Sequence, residues 1–116
     1  MNEIGKLLDQ LNDTEGVLGC GIVTRDGRPV EMRLPDKMNQ ETIAIMCATV
    51  FGGSTTLHTE AGKSVPTSIK TKAEGYRTEI FQCGRRSLAI IMHDEQSDKA
   101  QIKEIVQKLG TEFGPA

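Results

Sequence analysis

The segment at residues 88–92 (LAIIM) is apolar at every position and constrains the fold more than any other feature of this sequence. A strand that alternates polar and apolar residues covers one face of a sheet, whereas a strand without polar positions must be covered on both faces. Two other segments, residues 30–34 and 68–73, do alternate and are typical of strands at sheet edges. The sequence therefore predicts a sheet with a buried central strand and helices on each face.

Three segments show the spacing of amphipathic helices. The first is short and ends before Gly16, and the middle one runs for about five turns to Gly62. The third is predicted to begin at Ser97, whose hydroxyl is suited to capping a helix N-terminus. The periodic positions are Ile4, Leu7, Leu8 and Leu11 in the first, Ile43, Met46, Cys47, Val50, Ser54, Leu57 and Ala61 in the second, and Ile102, Ile105, Val106, Leu109 and Phe113 in the third.

Turn residues divide the remaining chain into five strands. An Asp-Gly pair at 26–27 predicts a hairpin, and the pairs at 74–75 (EG) and 84–85 (GR) predict two further turns. The element order is therefore αββαβββα. This order predicts an α+β fold with one five-stranded, mainly antiparallel sheet and helices on both faces, formed by a single domain over residues 1–116.

The middle helix also carries a second stripe, which consists of small residues. Ala44, Ala48 and Gly52 lie along this stripe. Gly52 and Gly53 each cost about 1 kcal/mol relative to Ala in a helix interior, so another interaction should offset them. Close approach of a second helix would do so.

The formal charge of −2 conceals a local excess of positive charge. Residues 63–86 hold six basic and two acidic side chains. A basic segment attracts acidic partners, but on an otherwise acidic domain it is more often a solvated face, and both interpretations stay open at this point. The candidate partner-surface residues are Lys63, Arg77, Arg85 and Arg86.

Composition argues against several classes of protein. With one Tyr, three Phe and no Trp, the chain has few rings to stack on bases, so we expect no nucleic-acid partner. The three Cys are widely spaced and match neither a zinc framework nor a complete set of disulfides. No signal-peptide core follows Met1, and no apolar run is long enough to cross a bilayer. We therefore expect a cytoplasmic protein with reduced thiols and no direct membrane insertion.

Three local patterns resemble catalytic or cofactor sites, but each lacks an essential part. Residues 62–64 (GKS) follow a helix and lack the first glycine of a phosphate-binding loop. Residues 19–21 (GCG) have Thr24 in place of the third glycine of a dinucleotide fingerprint, and instead indicate close strand packing. His58 and His93 lie on different predicted elements, without metal-ligand spacing. We therefore expect no enzyme, no catalytic residue, no cofactor and no metal site.

Five strings of residues occur in an order that matches a known family. They lie at residues 7–11 (LLDQL), 15–19 (EGVLG), 22–27 (IVTRDG), 75–76 (GY) and 88–92 (LAIIM). With the element order, they resemble the Roadblock family of dynein-associated light chains, whose members include bacterial and archaeal partners of small Ras-like GTPases. The resemblance extends from about Ile4 to Phe113.

This resemblance implies a dimer in which the middle helices of two copies pair and the following edge strands join two sheets into one. Carried over by position, the pairing residues are Ala44, Ala48 and Gly52 on the helix and Ile69 and Thr71 on the strand. The implied function is that of a non-enzymatic homodimeric regulator or adaptor of a small Ras-like GTPase, in a GTPase-activating or scaffolding role.

Two alternatives stay open at the level of sequence. One is a structural light chain of a motor or membrane-associated complex that does not sense a nucleotide. The other is a small-molecule sensor domain with its ligand between sheet and helix. The sequence does not decide among the three.

Overall fold

The computed structural model describes residues 3–114, and their order of elements is the predicted one. The elements are α1 (Glu3–Asn12), β1 (Val17–Thr24), β2 (Pro29–Arg33), α2 (Gln40–Glu60), β3 (Ser68–Ala73), β4 (Tyr76–Cys83), β5 (Ser87–Asp94) and α3 (Lys99–Phe113). Although α2 has 21 residues, neither it nor another helix of the described chain combines the length and apolar character that crossing a bilayer requires.

The five strands form one antiparallel sheet in the order β2-β1-β5-β4-β3. β5 lies at the centre, pairs with both β1 and β4, and is buried from Leu88 to His93. β2 and β3 lie at the edges. The central strand and the two edge strands predicted from hydropathy are thus confirmed.

Successive residues of the sheet contribute to two separate hydrophobic cores. On one face, α1 and α3 cover a cluster that includes Ile22 and Ile91. On the other face, α2 covers a cluster that includes Val23 and Ile90. Because neighbouring residues of a strand point to opposite faces, the apolar strands supply both cores, as predicted.

β1 and β2 approach each other closely at the glycines of β1. A Cβ added to Gly21 would lie 2.5 Å from Met32 Sδ and 3.0 Å from the Glu31 carbonyl oxygen. The hairpin turn that joins the two strands has Gly27 at a φ of 96°, a conformation that L-residues with side chains rarely adopt. The sequence prediction of close packing and a tight turn is therefore confirmed.

The polar side chains of β2 lie beneath α1. The Arg33 Nε is 2.6 Å from Asp9 Oδ1 on α1, and its Nη2 is 2.9 Å from Glu31 Oε2. The pair with Asp9 connects the edge strand to the first helix, and the pair with Glu31 lies within β2.

The predicted cap of the last helix is wrong by one residue. Asp98, not Ser97, is the N-cap of α3, and its Oδ1 accepts a hydrogen bond of 3.1 Å from the Gln101 amide. Ser97 is buried, and its hydroxyl lies 2.8 Å from His93 Nδ1. Both residue types are good N-caps. Here Asp98 caps the helix, and Ser97 bonds to His93 and to the Asp94 carbonyl at the end of β5.

Candidate interaction surface

α2 is longer than the part of the sheet that it covers. It begins at Asn39, whose Oδ1 accepts a 2.8 Å hydrogen bond from the Thr42 amide, and Gly62 follows its end with a φ of 74°. The helix is about 31 Å long at 1.5 Å per residue. Its buried residues are Ala44, Cys47 and Phe51, all in the first 12 positions of the 21-residue helix. Most residues of its C-terminal half are exposed.

An apolar stripe on α2 faces away from the core. Met46 is 50% exposed, Val50 42% and Leu57 73%. Together with Gly53 they follow a 4-3-4 spacing, which places them along one side of the helix. We call these four residues the α2 stripe. Met46, Val50 and Leu57 share a predicted apolar helix face with Cys47, but the sheet covers only the neighbouring line through Ala44, Cys47 and Phe51.

The stripe of small residues lies on the other flank of α2. Ala44 has no accessible surface and packs beneath its own sheet, so its predicted role in pairing is corrected. Ala48 lies beside the β1–β2 turn. A Cβ added to Gly27 in that turn would be 3.6 Å from the Ala48 Cβ. Gly52 is exposed, and a Cβ added to it would meet no atom of the described chain within 4 Å. That Ala48 and Gly52 take part in pairing with a second copy stays a prediction.

β3 presents the second predicted pairing element. Within residues 3–114 it pairs only with β4, so its other edge carries the unpaired backbone groups of an edge strand. Ile69 packs against the α2-side core, and the exposed Thr71 hydroxyl bonds to the Thr78 hydroxyl across the strand pair. Lys70 lies between Ile69 and Thr71 in the strand, so its side chain points to the opposite face of the sheet.

The predicted basic partner surface is not gathered in one place. Arg85 and Arg86 lie at the β4–β5 turn, whereas Arg77 lies at the other end of the eight-residue strand β4, about 25 Å away. The Arg77 Nη2 is 2.8 Å from Glu95 Oε1, and its Nη1 donates to the Ala73 carbonyl. The remaining candidate, Lys63, follows the end of α2. These four residues therefore do not form a single docking patch within one chain.

The three cysteines and His93 are buried in the core, whereas His58 is exposed. Burial raises the pKa of Cys20 and Cys83 to about 12 and that of Cys47 to about 11, so all three thiols stay protonated near neutral pH. The His93 ring lies between Ser97 and Glu79, with Nε2 3.1 Å from Glu79 Oε2. In the part of the chain that the structure describes, no three His, Cys, Asp or Glu side chains are grouped as metal ligands.

The α2 stripe is the feature that sequence reasoning assigned to the wrong environment. Its signal was present in the 4-3-4 spacing of residues 46, 50, 53 and 57. The same helix offers a second apolar line through residues 44, 47 and 51. Hydropathy alone does not tell which of two adjacent apolar lines a sheet covers.

Comparison with known protein families gives a match over most of the chain. The Roadblock/LC7 domain family matches residues 3–90. Uncharacterized protein MJ0714 of Methanocaldococcus jannaschii is 27% identical over 88 residues, which cover 76% of this chain and 75% of that protein.

Solved structures share the whole architecture. Myxococcus xanthus MglB is similar with a TM-score of 0.87 at 12% identity, covering 97% of this chain and 93% of that one. Acanthamoeba castellanii profilin IA is similar with a TM-score of 0.65 at 15% identity, covering 94% of each chain. At these identities the likeness shows the fold alone.

Proposed function

The chain belongs to the Roadblock/LC7 domain family, and on that premise we propose that it is a homodimeric, non-enzymatic regulator or adaptor of a small Ras-like GTPase in the cytoplasm. The observation that carries the proposal is the α2 stripe, an apolar helix face that residues 3–114 leave largely exposed. Met46, Val50 and Leu57 expose between 42% and 73% of their surface along this one line. A protein–protein contact is the usual function of such a face.

A second copy is the occupant that the surface favours. The 4-3-4 spacing of the stripe is that of a helix seam in which apolar side chains interlock with those of a facing helix. Gly53 lies within the seam, and a Cβ added there would meet no atom of the described chain within 4 Å, so two backbones could approach closely. The free edge of β3 offers strand pairing between copies. We therefore propose that two copies pair through the α2 stripe, and that Ala48, Gly52, Ile69 and Thr71 lie at the edge of this contact.

The proposed role rests on docking and not on chemistry within this chain. The three buried thiols are protonated near neutral pH. Arg77 is held by Glu95 and by backbone carbonyls, and so is poorly placed to reach into another protein's active site. The family resemblance accordingly implies a regulator that acts on the GTPase's own residues.

The test combines self-association with nucleotide-dependent binding. Sedimentation equilibrium should give a mass near twice the 12.7 kDa of one chain. A Ras-like GTPase from the same genome should bind the dimer more tightly in one nucleotide state, GDP-bound or GTP-analogue-bound, as measured by calorimetry. GTP turnover measured with and without the protein then distinguishes a GTPase-activating role from a scaffolding role.

The outcomes separate the proposal from its alternatives. A monomer at micromolar concentration would exclude the α2 stripe as a self-association surface. Binding that is equal in both nucleotide states would indicate a structural light chain. Absence of binding to every GTPase of that genome would refute the proposed partner class.

A further inference from the structure

A cleft of about 420 Å³ lies between α3 and the β3–β4 hairpin. It is on the sheet face that α1 and α3 cover, opposite α2, because Glu79 and His93 alternate with the α2-facing residues Ile80 and Met92. α3 covers the centre of the sheet and leaves the β3 side of this face open. Neither the α2 stripe nor the free edge of β3 is needed to form the cleft.

The cleft has an excess of positive charge. Its cationic side chains are Lys70 on the sheet side, Lys103 and Lys99 on α3, and Arg77. The Lys99 Nζ donates a 2.7 Å hydrogen bond to the Glu95 carbonyl, and Arg77 is paired with the Glu95 carboxylate. The one carboxylate among the lining residues is that of Glu79, which bonds to His93. Within residues 3–114, no carboxylate lies within 4 Å of the ammonium groups of Lys70 or Lys103.

The α3 wall of the cleft has two parallel rows of side chains. Lys99 and Lys103 form an exposed row at the rim, and Ile102 and Val106 form a deeper row. Ile102 is only 3% exposed, and Val106 is half-buried. The two members of each row are four positions apart, or about 6 Å along the helix axis.

An extended peptide has a matching repeat. Its alternate side chains point to the same side and are about 6.7 Å apart, while the intervening side chains point to the other side. Acidic residues at alternate positions can therefore face the lysine row while the apolar residues between them face the base of the cleft, where Val106 is half-buried and Ile102 exposes only a small edge. We propose that the cleft binds a short extended segment of a partner protein in which acidic and apolar residues alternate.

A small anion fits this cleft less well. One phosphate or carboxylate would engage one or two ammonium groups and would make no contact with the half-buried Val106 at the base of the cleft. The first turn of α3 does not compensate, because the Asp98 side chain already accepts a hydrogen bond from the Gln101 amide there. The two-row arrangement thus favours a repeating ligand over a single charged group.

The binding experiment uses fluorescence anisotropy with the full chain and a fluorescein-labelled peptide of three Glu-Leu repeats. Lys103→Glu should weaken binding by about tenfold or more, because it replaces attraction by repulsion at the rim. Lys6→Glu is the matched control: it makes the same charge change at an exposed position of α1 and should shift the dissociation constant less than about twofold. Lys103→Gln is a second variant with an intermediate effect, and circular dichroism shows whether each variant is folded.

The order of residues in the peptide tests whether binding depends on the alternating repeat or on charge alone. A peptide of three Glu followed by three Leu has the same composition and should bind more weakly than the alternating one. Equal binding of the two peptides, or an equal loss in Lys6→Glu, would overturn the proposal in favour of general charge attraction. Competition by AMP or inorganic phosphate at lower concentrations than the peptide would overturn it in favour of a small-molecule site. Leu57→Lys should keep full peptide affinity, so the result does not depend on whether the chain dimerises.

Discussion

His93 and Ser97 are hydrogen-bonded to each other inside the protein, with Nδ1 and Oγ 2.8 Å apart. The contact joins the end of β5 to the residue before the α3 N-cap. The other ring nitrogen of His93 lies 3.1 Å from Glu79 Oε2 on β4. One buried imidazole thus connects two strands to the start of the last helix.

We expect Ser97→Ala to lower the free energy of unfolding by about 1 to 2 kcal/mol, because His93 would lose a buried hydrogen-bond partner. Asp98→Ala should cost about 1 kcal/mol through loss of the N-cap. Ser64→Ala, at an exposed position, is the control and should change stability by less than about 0.5 kcal/mol. Urea unfolding measures all three. A Ser97→Ala variant as stable as Ser64→Ala would show that the contact with His93 contributes nothing.

Two glycines should respond to alanine with opposite signs. Gly21→Ala places a Cβ 2.5 Å from Met32 Sδ and 3.1 Å from Met32 Cα, so the hairpin must shift and stability should fall by about 1 to 3 kcal/mol. Gly110→Ala, inside α3 with open space around it, should raise stability by up to about 1 kcal/mol. Thermal unfolding followed by circular dichroism compares them. A stabilising Gly21→Ala would contradict the close approach of β1 and β2.

The buried thiols should make the protein sensitive to alkaline pH. Burial raises the pKa of Cys20 and Cys83 from 9.0 to about 12 and that of Cys47 from 9.0 to about 11. Above pH 9 the unfolded thiols release protons that the folded ones retain, so stability is complete below pH 9 and falls as the pH rises toward 11 or 12. Each thiol contributes up to about 1.4 kcal/mol of loss per pH unit in that window.

Urea unfolding between pH 7 and pH 10.5 measures this loss. Burial also raises the pKa of Tyr76 and adds a loss in the same direction. Cys83→Ala is less stable at pH 7 but should show a shallower decline above pH 9, since one titrating group is gone. An equal slope in Cys83→Ala and the parent protein would contradict the raised pKa of this thiol.

A charge placed in the α2 stripe should separate the copies without unfolding them. Leu57→Lys should raise the dimer dissociation constant by about tenfold or more, because an ammonium group would be buried in an apolar contact. Val30→Lys on β2 is the matched control, since Val30 is 59% exposed and lies outside the stripe. Light scattering gives the mass of each variant over a range of concentration. Dissociation by both variants, or by neither, would mean that the α2 stripe does not form the contact.

The elements and their layering could be predicted because each depends on a short-range repeat. The unbroken apolar run at residues 88–92 placed β5 at the centre, and alternation at residues 30–34 and 68–73 placed β2 and β3 at the edges. The turns at Gly27 and Gly75 could be located because glycine is the residue that most readily adopts a φ of 96° or 70°. For the candidate surface, the stripe of small residues singled out Gly52, and the family resemblance implied Thr71. Both residues are exposed, and their part in pairing stays a prediction.

Tertiary structure decided which of two equivalent local options the chain adopts. Ser97 and Asp98 are both competent N-caps. Asp98 caps the helix, whereas the Ser97 side chain turns inward to His93 and to the Asp94 carbonyl. α2 has two adjacent apolar lines, and only the line through Cys47 and Phe51 is buried against the sheet. Periodicity specifies the angle between residues on a helix but not the rotation of that helix against its neighbours. That rotation is set by packing with strands distant in the sequence, and so Ala44 lies in the core while Leu57 lies at the surface.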